Sequence, residues 1–214
     1  MITNIKLKYT SAKKCWRLII LGLLSCLMLS GCISNKYIER QQYLLDVPKS
    51  FAKKSVVTCQ NSIFVDHVVA RAPFDELDFL YRVKSDRYLV DYYNGFLASP
   101  SEQIESLLTA YLRAYGKFGL EAAELAKADY RLQVKIIELY ADYACRSKPQ
   151  AVISLHFIVT KLVADKPIVL VDRIFHEHVA LKEKNTISLL QAWNVGLKNI
   201  LTQATRVLNR KIGC

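Results

Sequence analysis

Glycine is scarce in this chain, with seven in 214 residues. That leaves little backbone able to wrap a phosphate or line an oxyanion hole with amides. The sequence has no Gly-x-Ser-x-Gly elbow, no His-Glu-x-x-His helix and no phosphate-binding glycine loop, so it lacks the usual means of placing a nucleophile, a zinc ion or a nucleotide. Cysteine spacing matches no metal motif. Neither a lysine-arginine block nor an aromatic RNA-binding motif occurs, which excludes nucleic acid as a partner. Acid is absent before Glu39. The longest apolar run, Leu18 to Leu29, falls short of the ~20 residues a helix needs to cross a bilayer.

The start of the chain supplies what these absences leave room for. Lys6, Lys8, Lys13, Lys14 and Arg17 precede the apolar run, and Leu29-Ser30-Gly31-Cys32 follows it. Basic, apolar and small-residue segments in this order form an export signal. The last four residues resemble the bacterial lipobox, which implies cleavage before Cys32 and acylation of Cys32 on sulfur and amine. Each buried methylene contributes about 0.8 kcal/mol, so two or more chains give stable anchoring without a span. Ile33 stands where aspartate marks inner-membrane retention in Gram-negative sorting, and the expected location is therefore the periplasmic face of the outer membrane.

Cleavage leaves 183 residues, enough for one core. The expected organisation is a signal peptide over 1–31, a lipidated tether over 32–54 and a single domain over 55–214. Loss of the signal lowers the formal charge from +11 to +6. So mild a surplus suits anionic headgroups or an acidic partner, but the cations are spread through strands and helices along the sequence.

Within the tether, Tyr43-Leu44-Leu45 reads as a short extended segment able to join a sheet edge. Ser62 to Ala70 is rich in β-formers, and the acidic group Asp75, Glu76 and Asp78 lacks the spacing and glycine of a calcium loop, so it reads as a solvated turn. Phe79–Val83 and Tyr88–Tyr93 flank Lys84-Ser85-Asp86-Arg87 as a hairpin. Ser99, Pro100 and Glu102 make a capping box with proline at the first helical position, and Ile104, Leu107, Leu108, Tyr111, Leu112 and Tyr115 give that helix one apolar face. Tyr130 to Ala144 alternates, with its apolar parity changing after Ile136, which calls for a bulge there. Ala151–Ala164 and Ile168–Val179 make a second hairpin. A last helix begins after Asn185, with Leu190, Trp193, Leu197, Leu201, Ala204 and Leu208 on one stripe. The predicted fold is α/β (two-layer α+β): a mixed, largely antiparallel sheet of about six strands with two amphipathic helices on one face.

Cys59, Cys145 and Cys214 remain after the signal and Cys32 are set aside, so one bridge and one free thiol are expected in an oxidising compartment. With consecutive strands antiparallel and the first helix acting as a parallel crossover, the strand after Cys59 points the same way as the strand before Cys145. Cys59 and Cys145 then lie at opposite ends of the sheet, and the last helix returns Cys214 to Cys59. The separation of about 33 Å along a ten-residue strand excludes Cys145 and selects Cys59–Cys214.

His156, His176 and His178 are the closest approach to a metal cluster, since a hairpin at Lys166 can set His156 opposite His176. The arrangement depends on one register, and satisfied, half-exposed histidines are expected, with no metal or cofactor.

The lipobox, the Tyr-Leu-Leu segment, Leu80-Tyr81-Arg82, Tyr92-Tyr93 and the proline-capped helix together resemble the ABC-type transport auxiliary lipoprotein family over nearly all of the mature chain. Phe96 stands where that family often has tryptophan. The resemblance implies a non-enzymatic outer-membrane lipoprotein accompanying an MCE-type periplasmic protein in lipid transport, like the lipoprotein of the paraquat-inducible system, and in some cases assembled as a homo-oligomeric ring. It carries over Leu80, Tyr81, Arg82, Tyr92, Tyr93 and Phe96 as family-motif positions, for which interaction with a partner and ordinary core packing are the two roles, packing being the favoured one. A lipid carrier and an assembly lipoprotein of a secretion or cell-wall machine are the alternatives.

Overall fold

The computed structural model describes residues 16, 38–47, 59–121, 127–145, 147–163 and 166–213. The chain divides into two units, Met1–Ile38 and Glu39–Cys214, and every element below belongs to the second. The lipobox, Cys32 and Cys214 lie outside the described residues. Among those described, no helix is long and apolar enough to cross a membrane.

The elements run β1 (Gln41–Tyr43), β2 (Ser62–Val65), β3 (Val69–Ala70), β4 (Asp78–Arg82), β5 (Tyr88–Phe96), α1 (Pro100–Tyr115), β6 (Gly119–Glu121), β7 (Tyr130–Asp142), β8 (Gln150–Val163), β9 (Lys166–Ala180) and α2 (Thr186–Lys211). Strand β7 organises the sheet. Along one side it carries β2, β3 and β4 in series, all parallel to it, and along the other it pairs antiparallel with β8, which pairs with β9. Antiparallel β5 extends the sheet beyond β4, and β1 and β6 add parallel to β5 and β2.

This mixed sheet has nine described strands rather than about six, because the run from Ser62 to Ala70 breaks into β2 and β3 and because β1 and β6 add three residues each. Segments this short show no readable period. The sheet is also less antiparallel than expected. The strand pair following Cys59 and preceding Cys145 is parallel, as the cysteine argument requires. However, β4 runs with β7 rather than against it, and β5 runs opposite to β7. Helix α1 is therefore not a crossover directly into β7; short β6 follows it and lies parallel beside β2.

The caps of α1 and α2 form at the residues the sequence marks, with only the Ser99 half of the α1 capping box made among the described residues. The Ser99 side chain accepts from the Glu102 amide at 3.3 Å, and Asp75, from the acidic group, accepts from both the amide and the hydroxyl of Ser101 at 2.9 Å. A carboxylate at this end also suits the helix dipole. Asn185 caps α2 through the Ser188 amide at 2.8 Å. The register of β7 shifts between Ile136 and Glu138, which lets Leu132, Val134, Ile136, Leu139 and Ala141 all enter the core.

Both helices share one core with the sheet. Trp193 of α2 is fully buried, its ring 5.1 Å from that of Phe79 and 5.5 Å from that of Phe96, while its Nε1 donates to the Val152 carbonyl at 3.3 Å. Gly196 lets α2 come down onto β8 and β9: a Cβ there would meet Ile153 Cγ2 at 2.9 Å and Glu177 Cβ at 3.3 Å. Leu80, Tyr140 and Val152 form a separate small cluster.

Candidate interaction surface

Strand β5 has β4 along one side for its length, but on the other side β1 covers only Asn94, Gly95 and Phe96. From Tyr88 to Tyr93 that outer edge has no strand partner among the described residues. Such an edge offers unpaired amides and carbonyls to another chain. It also presents Tyr88, Leu89, Val90, Tyr92 and Tyr93 to solvent, with Leu97 just past the strand.

A wide irregularity sets the two tyrosines apart. Asp78 pairs with Gly95 but the next residue, Phe79, pairs with Asp91, so Tyr92, Tyr93 and Asn94 bulge from the ladder. The Asp91 carboxylate closes the bulge, accepting from the amides of Tyr93 and Asn94 at 2.9 and 3.1 Å and from Asn94 Nδ2 at 2.8 Å, as well as from the Tyr81 hydroxyl. Burial opposes ionisation of Asp91, but the donors around it hold its carboxyl below the ordinary range. Burial, then Asp91, push the Tyr81 hydroxyl up. The result is a hydrogen-bonded projection: Tyr92 is 75% exposed and Tyr93 53%.

The six residues singled out by family resemblance thus divide. Phe96 is in the core against Phe79, ring centroids 4.6 Å apart. Leu80 is buried in the small cluster. Half-buried Tyr81 stacks on Tyr143 at 5.3 Å. Arg82 clamps Asp142 through Nε (3.2 Å) and Nη2 (2.5 Å) and lies 5.0 Å from the centre of the Tyr140 ring. Only Tyr92 and Tyr93 are open to a partner. Leu89, Val90 and Leu97 join them at this edge, unmarked in the sequence because exposed and buried strand residues share the same composition.

The histidines do not converge. The register sets His156 opposite Ile174, and it is Ser154 that faces His176. No group of three metal-ligating side chains occurs among the described residues. Instead His156 Nε2 lies 2.5 Å from Asp172, and Ser154 bridges Glu138 (2.6 Å) and His176 Nδ1 (2.8 Å). The hydroxyl has one proton, and it goes to Glu138, so His176 Nδ1 is the donor toward Ser154. That polarity is the reverse of a serine activated by histidine, and Ser154 is fully buried.

Cys59 is buried and disulfide-bonded, its partner lying outside the described residues. The free thiol of Cys145 is exposed. Beside Cys59, Asn61 Nδ2 donates to the Ile212 carbonyl at 2.8 Å, which holds the end of α2 at the start of β2.

The chain matches no family model, and no curated protein matches it. Solved structures do. Protein XCC0632 from Xanthomonas campestris, described with the family DUF330, aligns with a TM-score of 0.62 at 16% identity, covering 81% of this chain and 91% of that one. An uncharacterized protein aligns with a TM-score of 0.62 at 14% identity, over 78% of this chain and 97% of that one. The hypothetical protein CT253 from Chlamydia trachomatis gives 0.50 at 11% identity, over 70% and 98%. This chain shares their fold.

Proposed function

We propose that this protein is a lipid-anchored, non-catalytic adaptor on the periplasmic face of the outer membrane, serving an ABC/MCE-type lipid transport system by docking through the β5 edge. The carrying observation is the bulged edge itself, where Tyr92 and Tyr93 project from a hydrogen-bonded bulge beside an edge that has no strand partner from Tyr88 to Tyr93 among the described residues. Tyrosines on a fixed support supply large contact area at small entropic cost. Against a carrier stands the filled space between sheet and helices, where Trp193, Phe79, Leu197, Ile153, Leu155 and Leu201 are fully buried. A lipid enclosed there would have to displace them.

The same edge suits self-association, since a second copy could add its own strand. Native mass spectrometry of the delipidated protein reads both points, with retained lipid favouring a carrier. Co-purification with an MCE-type protein from envelope membranes tests the partner. The expected result is capture by the native chain and loss of capture by the Tyr92→Ala/Tyr93→Ala variant. Capture of a secretion or cell-wall complex instead, or of the MCE protein equally by both chains, defeats the reading.

A further inference from the structure

One end of the sheet collects cations that are far apart in the sequence. Tyr88, Arg82, Asp142, Gln150 and Ala180 are successive cross-strand partners, forming a single row over β5, β4, β7, β8 and β9. Beyond that row lie three neighbouring connections, 83–87, 143–149 and 181–185. They carry Lys84, Arg87, Lys148, Lys182 and Lys184, all exposed, against Asp86 and Glu183 among the described residues. No described carboxylate forms an ion pair with any of the five cations. Lys184 does cover the Tyr143 ring, 4.7 Å from its centre. These five cations, scattered along the chain, are grouped in space.

We infer that this end of the domain rests on anionic lipid headgroups. Two further observations favour a lipid surface over an acidic protein. First, β1 runs parallel to β5, so its N-terminal end points toward the Tyr88 row. Gln41 is nine residues on from Cys32, at most about 30 Å of extended chain, while Tyr88 and Asn94, six residues apart along β5, span at most about 20 Å. Given the acylated Cys32 of the proposed function, on which the inference rests at this point, the tether is long enough for the basic end to meet the bilayer. Second, Tyr88 and Leu89 are exposed on the flank of the same end, where an amphipathic ring suits the boundary between headgroups and water. Juxtamembrane lysines and arginines are drawn to anionic leaflets by this electrostatic attraction, which salt screens.

Cys145 provides the reporter, because its free, exposed thiol lies in the middle connection of the three. The mature protein is labelled there with an environment-sensitive fluorophore and mixed with phosphatidylglycerol or phosphatidylcholine vesicles bearing a headgroup quencher. The expected result is quenching on phosphatidylglycerol, with loss of that quenching at high salt and in the Lys84→Glu/Arg87→Glu/Lys148→Glu/Lys182→Glu variant, whose fold is checked by circular dichroism. A probe at the other end of the sheet, Lys166→Cys with Cys145→Ser, is expected to remain unquenched. Equal quenching on both lipids, quenching indifferent to charge reversal, or quenching at Lys166→Cys alone overturns the inference. An unquenched Cys145 probe on phosphatidylglycerol also overturns it and leaves the basic end to an acidic protein. Flotation with phosphatidylcholine reports the acyl anchor separately: a protein that fails to float lacks the anchor, while the expected Cys145 response on phosphatidylglycerol is unchanged.

Discussion

Arg82 and Asp142 lie directly opposite each other on β4 and β7 and are joined by two hydrogen bonds. Asp142 also accepts from the Ala144 amide at 3.0 Å, so one carboxylate locks the outer sheet to its central strand and shapes the start of the β7–β8 turn. The pair is mostly withdrawn from solvent, with side-chain exposures of 28% and 12%. Arg82 is the main cause that holds the Asp142 carboxyl below its ordinary range, against the opposing effect of burial.

Removing one partner leaves the other charge poorly solvated. Arg82→Ala is expected to cost on the order of 1–3 kcal/mol, read as a lower denaturant midpoint, and Arg82→Ala/Asp142→Ala to cost less than the sum of the single changes. Because the folded pKa of Asp142 is depressed, its contribution is present above the unfolded value of about 3.9 and is lost as pH falls through the folded value. Asp142→Asn therefore starts less stable at neutral pH and is less sensitive to acid below that point. An unchanged acid limb in the variant would remove this pair from the account.

Gly196 is required by the approach of α2 to the sheet. Alanine is worth about 1 kcal/mol more than glycine in an open helix, but here its Cβ meets Ile153 Cγ2 at 2.9 Å, an atom on a stiff β-branched side chain. Gly196→Ala is expected to destabilise by roughly 1–3 kcal/mol through overpacking. Gly196→Ala should cost less in an Ile153→Ala background than in the native chain, which thermal unfolding of both single variants and the double variant would reveal.

The disulfide at Cys59 is expected to close on Cys214. The directions of β2, β7 and β9 and the bond from Asn61 to Ile212 bring the end of α2 to the start of β2, while Cys145 follows β7 at the opposite end. A loop of this length contributes on the order of 4–5 kcal/mol in the chain-entropy model. Cys59→Ser, Cys214→Ser and the double variant should therefore lose similar stability. A non-reducing peptide map showing Cys145 bonded to either residue would refute the pairing.

Acylation of Cys32 is expected to be what holds the protein to a membrane. Cys32→Ala should leave an uncleaved precursor and empty the mature membrane-bound pool on envelope fractionation. Mature-sized variant in that pool would refute the lipobox reading.

Much of the architecture was legible in the sequence wherever a few adjacent residues decide the outcome. Ser99, Pro100 and Glu102 settle where α1 begins, and Asn185 does so for α2, because a cap is a contact within one turn. The parity change after Ile136 requires the β7 bulge because side chains alternate strictly between faces. Tertiary structure alone decided what alternation cannot encode. Reversing a strand leaves its two-residue period intact, so the directions of β4 and β5 were invisible. A two-residue shift keeps every side chain on its face, so sequence alone could not choose between His176 and Ile174 as the partner of His156. Tyr92 and Tyr93 project because Asp91 and Tyr81 close a bulge between two strands, and Lys84, Lys148 and Lys182 become neighbours only when their connections gather at one end of the sheet. Each of these depends on partners distant in the chain, where pairing energy and not local preference selects the geometry.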